Sequence, residues 1–167
     1  MTNSAPPLQQ DIAALLPRLR RFARSLVFNR DDADDLVQVA VERALVRSSQ
    51  WEAGTRLDSW LFRIVKNAWI DEVRSRIRRD KLFAPEEAGE HVGDDFAQAQ
   101  QQRMAIQKAI SLLSEDHQAV VALVLVDGMA YQEAADVLEV PVGTLMSRLA
   151  RARTALQAHL SDQARTV

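Results

Sequence analysis

Arg148, Arg151 and Arg153 stand in a stretch, Pro141 to Leu160, that contains no acid. Their chemistry is recognition rather than bond-making. A guanidinium can present two parallel N–H donors to a guanine edge, and Ser or Thr hydroxyls can reach a base or a phosphate. Leu145, Leu149, Ala152 and Leu156 follow a 4, 3, 4 spacing and form the buried side of a helix. Thr144, Ser147, Arg148 and Arg151 fall on the wetter side, and Arg153 projects differently again. A helix of this width enters a major groove of about 12 Å, with its N-terminal part toward the bases. Arg148 then suits guanine, Thr144 and Ser147 suit base or phosphate, and Arg151 and Arg153 suit phosphate. The same pattern also fits a solvated face in a plain helical bundle.

A second basic face lies between Arg56 and Arg79, with Arg56, Arg63, Lys66, Asn67, Arg74, Arg78 and Arg79 off an apolar stripe of Leu57, Trp60, Leu61, Ile64, Ala68, Val73 and Ile77. Aromatic rings beside positive charge suit stacking on unpaired bases. Trp60 sits on the stripe, where packing alone also accounts for it. Trp51 and Trp69 are freer to stack. Basic residues at a helix end also merely complement its dipole.

Covalent chemistry finds no support. The chain has no Cys, so thiolate ligands, disulfides and a Cys nucleophile are excluded. His91, His117 and His159 are scattered without a metal-binding spacing. The cluster Asp31, Asp32, Asp34 and Asp35 lacks the Gly and terminal Glu of a calcium loop. Phosphate-cradling Gly-rich loops and a nucleophile elbow are absent. No cofactor, no metal and no enzymatic activity are expected.

The elements that position these residues read as helices. Apolar residues make up 47% of the 167, and Gly and Pro number only five each, so the sequence favours helices and has few breakers. Net charge is −2, but charge is segregated: from Phe83 to Gln102 there are five acids and no Lys or Arg. Ile12, Leu15, Leu16, Leu19, Phe22, Ala23 and Leu26 predict a first amphipathic helix, with Pro17 marking a start or kink. Asp31 is expected to cap a second, and Thr55 with Asp58 a third running to Arg79. Residues 82–100 are expected as an acidic linker. Beyond it, Met104, Ala105, Ala109, Ile110 and Leu113 share one face. Ser114 is expected to cap a helix whose apolar run, Ala119 to Val126, is buried, and Gly128 to end it. A short helix over 130–138, the connection Glu139-Val140-Pro141 and a last helix over 142–160 read as a helix-turn-helix. The fold class is all-α: two small helical domains, 10–81 and 101–160, joined by the acidic linker. With no run of 18 apolar residues and no basic or apolar leader in 1–10, a cytoplasmic protein with no membrane contact is expected.

Two segments carry a family resemblance. Asp32-Ala33-Asp34-Asp35-Leu36-Val37-Gln38, with Leu57 through Asn67 and Asp71-Glu72-Val73-Arg74, resembles region 2 of bacterial sigma factors. Gly128 through Arg153, with Tyr131-Gln132-Glu133-Ala134-Ala135 and Pro141-Val142-Gly143-Thr144, resembles their region 4. Together, over about 12–81 and 101–160, they resemble the extracytoplasmic-function type. Phe22-Ala23-Arg24-Ser25-Leu26 is similar to the general-stress subgroup of proteobacteria.

The resemblance implies a promoter-specificity subunit of RNA polymerase that reads −35 and −10 elements and helps open the DNA. Asp34, Asp35 and Gln38 would meet the clamp helices of the largest polymerase subunit, with the flap as a further contact. The loop Ser49 to Arg56, Trp51 included, would hold a flipped −10 base. Trp60, Arg63, Lys66, Asn67 and Arg74 would handle the separating strands. Thr144, Ser147, Arg148, Arg151 and Arg153 would read the −35 element. The linker would thread toward the RNA-exit path, and an anti-sigma factor is an expected partner. Two positions depart from the family pattern. Ala130 stands where Ser or Thr is usual, and Met146 where Lys is frequent, which weakens a cap and a phosphate contact respectively. Two alternatives stand beside this reading: a free-standing helix-turn-helix regulator, which would need dimer symmetry, and a helical protein that captures a regulator, for which the arginines would be dispensable.

Overall fold

The computed structural model describes residues 7–80 and 97–165, which contain helices and no strand. Three helices form the first unit: α1 (Leu8–Leu26), α2 (Arg30–Val46) and α3 (Leu57–Asp80). Four form the second: α4 (Ala97–Ser111), α5 (Glu115–Val120), α6 (Tyr131–Leu138) and α7 (Val142–Arg165). A 3₁₀ turn at Ser48–Gln50 follows α2, and α5 runs on through a wider π turn at Val121–Val126.

The apolar stripe of α1 is buried at Ile12, Leu19, Phe22, Ala23 and Leu26. It meets Ala33, Leu36, Val37, Ala40 and Ala44 of α2, where the small residues let two backbones approach closely. Phe22 and Phe62 pack with ring centroids 4.8 Å apart and planes tilted by 54°, within the favourable range for aromatic pairs. Pro17 lies inside α1 without ending it.

The two units share one core. The cluster holding Phe22, Leu36 and Trp69 continues into Val120, Leu123, Val137, Leu145 and Leu149 of the second unit. The contact is made by α1 against the π turn and by α3 against α6. Helix α3 is therefore covered on more than one side. That is why Phe62, Val65 and Trp69, which lie off or beside the single expected stripe, are buried, while Ile77 near its end is exposed. Trp69, expected to be free for stacking, is a core residue. Lys66, expected on an accessible basic face, is only 8% exposed because the second unit covers that part of α3.

Several expected caps move. Asn29, rather than Asp31, caps α2, its side chain accepting from the N–H groups of Asp31 and Asp32 at 2.8 and 3.3 Å. The Thr55 hydroxyl donates back to the Glu52 carbonyl at 2.7 Å, so it closes a turn instead of capping α3. Ser114 does cap α5, accepting from the His117 N–H. Four residues expected in the linker, 97–100, belong to α4; the rest of it, 82–96, lies outside the described residues, as does His91. Met104 is exposed, and so are Leu125 and Val126, because the apolar run there wraps past the edge of the core. The last helix extends to Arg165.

The turn between α5 and α6 needs Gly128 at φ +75°, from which the Met129 N–H returns to the Leu123 carbonyl at 3.0 Å. Ala130 begins α6 with no side-chain cap. Ala130→Ser should therefore raise the unfolding free energy of the chain by about 0.5–2 kcal/mol. Urea denaturation of both proteins checks this, with the midpoint of the variant moving to higher urea.

Candidate nucleic-acid interface

After α2 the chain passes through the 3₁₀ turn into a loop, Trp51 to Arg56, whose reversal uses Gly54 at φ +93°. This loop and the start of α3 bring Trp51, Arg56, Trp60 and Arg63 around one cleft of about 700 Å³. Its opposite wall is Ala135, Asp136, Glu139, Val140 and Pro141, the end of α6 and the turn of the helix-turn-helix. The indole Nε1 of Trp51 and the Nε of Arg63 are buried there without a hydrogen-bond partner among the described residues. Lys66 lies one turn beyond Arg63; its ammonium is disfavoured by burial and feels Glu139 and Asp116 of the second unit together with Arg63 and Arg148. Asn67 is exposed. Arg74 stands apart, in a separate shallow pocket with Asp71, Ile77 and Arg78.

Three arginines at or beside this cleft, Arg18, Arg56 and Arg63, are paired with acids. Arg18 of α1 donates from Nε and Nη2 to Asp127 at 3.1 and 2.7 Å, and from Nη1 to Asp58 at 2.9 Å. Its guanidinium lies 4.8 Å above the Phe62 ring, an added attraction for a partly desolvated cation. Asp127 is nearly inaccessible, with 1% of its side chain exposed, and Arg21 approaches it at 4.0 Å. Arg56 bonds Asp58 at 2.8 Å and pairs with Glu133 of α6. Arg63 donates to the Asp136 carbonyl at 2.8 Å and lies 3.8 Å from the Glu139 carboxylate. These bonds hold Arg18 and Arg56 more firmly protonated than free arginine.

On α7, Leu145, Leu149 and Ala152 are buried, and Ser147, Arg151 and Arg153 are exposed, as the spacing predicts. Thr144 is half-buried. Arg148 lies 3.4 Å from Asp116 of the same unit. On α2, Asp34, Asp35 and Gln38 are exposed along one ridge; Asp34 is 3.9 Å from Arg20, and Gln38 donates to Glu42 at 3.3 Å. Exposed Val39 and Leu45 lie on the same helix. Sequence reasoning missed Asp127, Glu133 and Glu139 as partners of the first unit. Their partners are 109, 77 and 76 positions away, and no local pattern connects such pairs. Among the described residues no group of three or more His, Asp or Glu could hold a metal ion, and no helix is long and apolar enough to cross a membrane.

Comparison with known proteins agrees with this geometry. Residues 12–66 match the family described as the Sigma2 domain of PhyR, and residues 103–156 match Sigma-70, region 4. The ECF RNA polymerase sigma factor EcfG of Rhodopseudomonas palustris is 36% identical over 157 residues, covering 92% of this chain and 84% of that protein. ECF sigma factor SigW of Bacillus subtilis is 28% identical over 158 residues, covering 87% of this chain and 84% of that one. The sigma factor RpoE of Bartonella quintana, solved with the anti-sigma factor NepR, superposes with a TM-score of 0.74 at 31% identity, over 94% of this chain and 98% of that one. CnrH, solved with the cytosolic domain of CnrY, gives 0.69 at 26% identity, over 92% and 87%. A two-domain helical chain with paired basic faces and these relatives is a transcription initiation factor. The chain belongs to the extracytoplasmic-function family of RNA polymerase sigma factors. It is a promoter-specificity subunit, not a free-standing helix-turn-helix regulator.

The ion pairs at the cleft set an acid limit. Burial works against the charge on Asp58, but donors from Arg56, Arg18 and the Ser59 N–H outweigh it and hold the carboxyl at about 2 against an ordinary 3.8. A carboxyl held below its unfolded value stabilises the fold fully above that value and loses the contribution as pH falls through the folded one. Asp58→Asn should therefore lower stability at pH 6, and its deficit should shrink as pH falls from 3.8 through about 2. Urea midpoints of both proteins across that range check it; a constant deficit would contradict the assignment.

Proposed function

We propose a residue-level division of labour for promoter recognition by this chain. Trp51, Arg56, Trp60, Arg63, Lys66, Asn67 and Arg74 engage the −10 element. Trp51 and the loop around it hold a base flipped from the duplex, and the basic groups take the phosphates of the strand that separates. Flipping a base costs a few kcal/mol, which stacking and hydrogen bonds in such a cleft can offset. Thr144, Ser147, Arg148, Arg151 and Arg153 read the −35 element, Arg148 through a bidentate contact and Arg151 and Arg153 through phosphate. Asp34, Asp35 and Gln38, exposed on one ridge of α2, meet the polymerase clamp helices, and the second domain meets the flap.

The observation that supports this reading is the convergence of Trp51, Arg56, Trp60 and Arg63 on one wall of a single cleft. Domains at 10–81 and 101–160 with an acidic connection between them fit a chain that spans two promoter elements. RpoE and CnrH were each solved with an anti-sigma partner, so a regulator of that kind is proposed for this chain too. Acting on chromosomal promoters, the chain would work in the bacterial cytoplasm, and a stress response is the proposed setting.

Transcription reconstituted with polymerase core and a promoter library should yield initiation from a two-element consensus. Arg148→Ala should relax preference at one −35 position by roughly 5- to 100-fold, the discrimination of one bidentate contact. No promoter-dependent initiation with any matching core would end the reading; unchanged −35 preference would move base reading to another residue.

A further inference from the structure

The surface proposed for −10 recognition and the helix-turn-helix domain face each other across the cleft. Both arginines that line the first side have acceptors on the second. Arg56 meets Glu133, Arg63 meets Glu139 and the Asp136 carbonyl, and Lys66 is covered. While α6 lies there, Lys66 is buried and the donors of Arg63 are engaged by Glu139 and the Asp136 carbonyl, so neither is free to meet a phosphate.

Two features set these contacts apart from incidental surface pairs, which are worth little. The first is Asp127. Its carboxylate is almost wholly buried, yet its ion-pair partners, Arg18 and Arg21, both come from the other domain. A carboxylate buried without its cationic partner would cost several kcal/mol, so its burial and the docking of the domains go together. The second is Glu139. It holds a left-handed backbone at φ 57°, ψ 41° at the end of α6, where glycine is the usual residue. A side chain there is strained by roughly 1–2 kcal/mol. What glycine would lack is the carboxylate that faces Arg63 and Lys66.

We propose that the helix-turn-helix domain is an intramolecular inhibitor of the −10 surface, with Glu133 and Glu139 in place of DNA phosphates and the Arg18–Asp127 pair as the latch. The closed chain is the resting form, and promoter binding requires the domains to part. Apparent DNA affinity of the free chain is then its intrinsic affinity multiplied by the open fraction. The inference rests on the −10 assignment above, but its structural half does not.

The test uses the full chain, which has no native Cys and so accepts a pair of dyes cleanly. Cys introduced at Glu42 on α2 and at Ala158 on α7 reports domain separation by energy transfer. Unlabelled protein is titrated with a fluorescent single-stranded DNA 20-mer of mixed sequence. Three proteins are compared with wild type: Asp127→Asn; Glu133→Gln with Glu139→Gln, whose exposed or half-exposed sites carry little folding risk; and Asp31→Asn with Glu42→Gln, in unlabelled form, as a control for net charge.

Both seam variants should lower energy transfer and tighten DNA binding by about fivefold or more, as expected if the closed form dominates. The control should change affinity less than twofold. Unchanged energy transfer in both seam variants overturns the latch. Separated domains with no gain in DNA binding beyond the control overturn the inhibition. In that last case the fault lies with the −10 assignment only if reconstituted initiation also fails to respond to Arg63→Ala, which distinguishes the two readings.

Discussion

One guanidinium sets the shape of this molecule. Arg18 leaves α1, lies over the ring of Phe62 and divides its donors between Asp58 at the start of α3 and Asp127 at the end of the π turn. Three chain segments far apart in sequence thus meet at one planar fork, a geometry that lysine could not reproduce. Asp58 in turn holds Arg56, and Arg56 reaches Glu133. The electrostatic order of the domain seam runs outward from that single side chain, while the apolar continuity from Phe22 to Leu145 supplies the bulk of the contact.

A promoter-specificity subunit must present cations to DNA without binding nucleic acid everywhere. Phosphate attraction is independent of sequence and dominates non-specific affinity. This chain has 21 basic residues against 23 acids, and the structure sets two of those acids, Glu133 and Glu139, against Arg56 and Arg63. Arg151 and Arg153 of α7 are exposed, whereas Arg56 and Arg63 at the cleft are paired with acids of the other domain. Closure is thus a physical explanation for a nearly neutral protein whose task is to grip a polyanion only in the right setting.

Much of this was legible in the residues. The periodicity of α1 and α7 located their buried faces correctly, down to Leu145, Leu149 and Ala152, and Ser114 and Gly128 marked the ends of α5. The convergence of Trp51, Arg56, Trp60 and Arg63 was also within reach, since one loop and one helix turn carry them all. What failed was anything decided by the second domain. Lys66 and Trp69 were read as available because a helix pattern reports one buried side, whereas α3 has neighbours on several. The caps of α2 and α3 shifted because Asp, Asn and Thr compete for the same orphan N–H groups, and side-chain geometry rather than residue type decides between them. Asp127 was invisible: next to Gly128 it reads as an ordinary helix end, and only the fold reveals an ion-pair partner 109 residues away.

Arg18 and Asp127 stabilise this arrangement as a pair. A double-mutant cycle in urea unfolding, with Arg18→Met, Asp127→Asn and the double variant, measures that coupling directly. A coupling of about 0.5–3 kcal/mol is predicted, the range for residues joined in one hydrogen-bond and salt-bridge network. Additive single effects, with a coupling under about 0.3–0.5 kcal/mol as for independent sites, would contradict it.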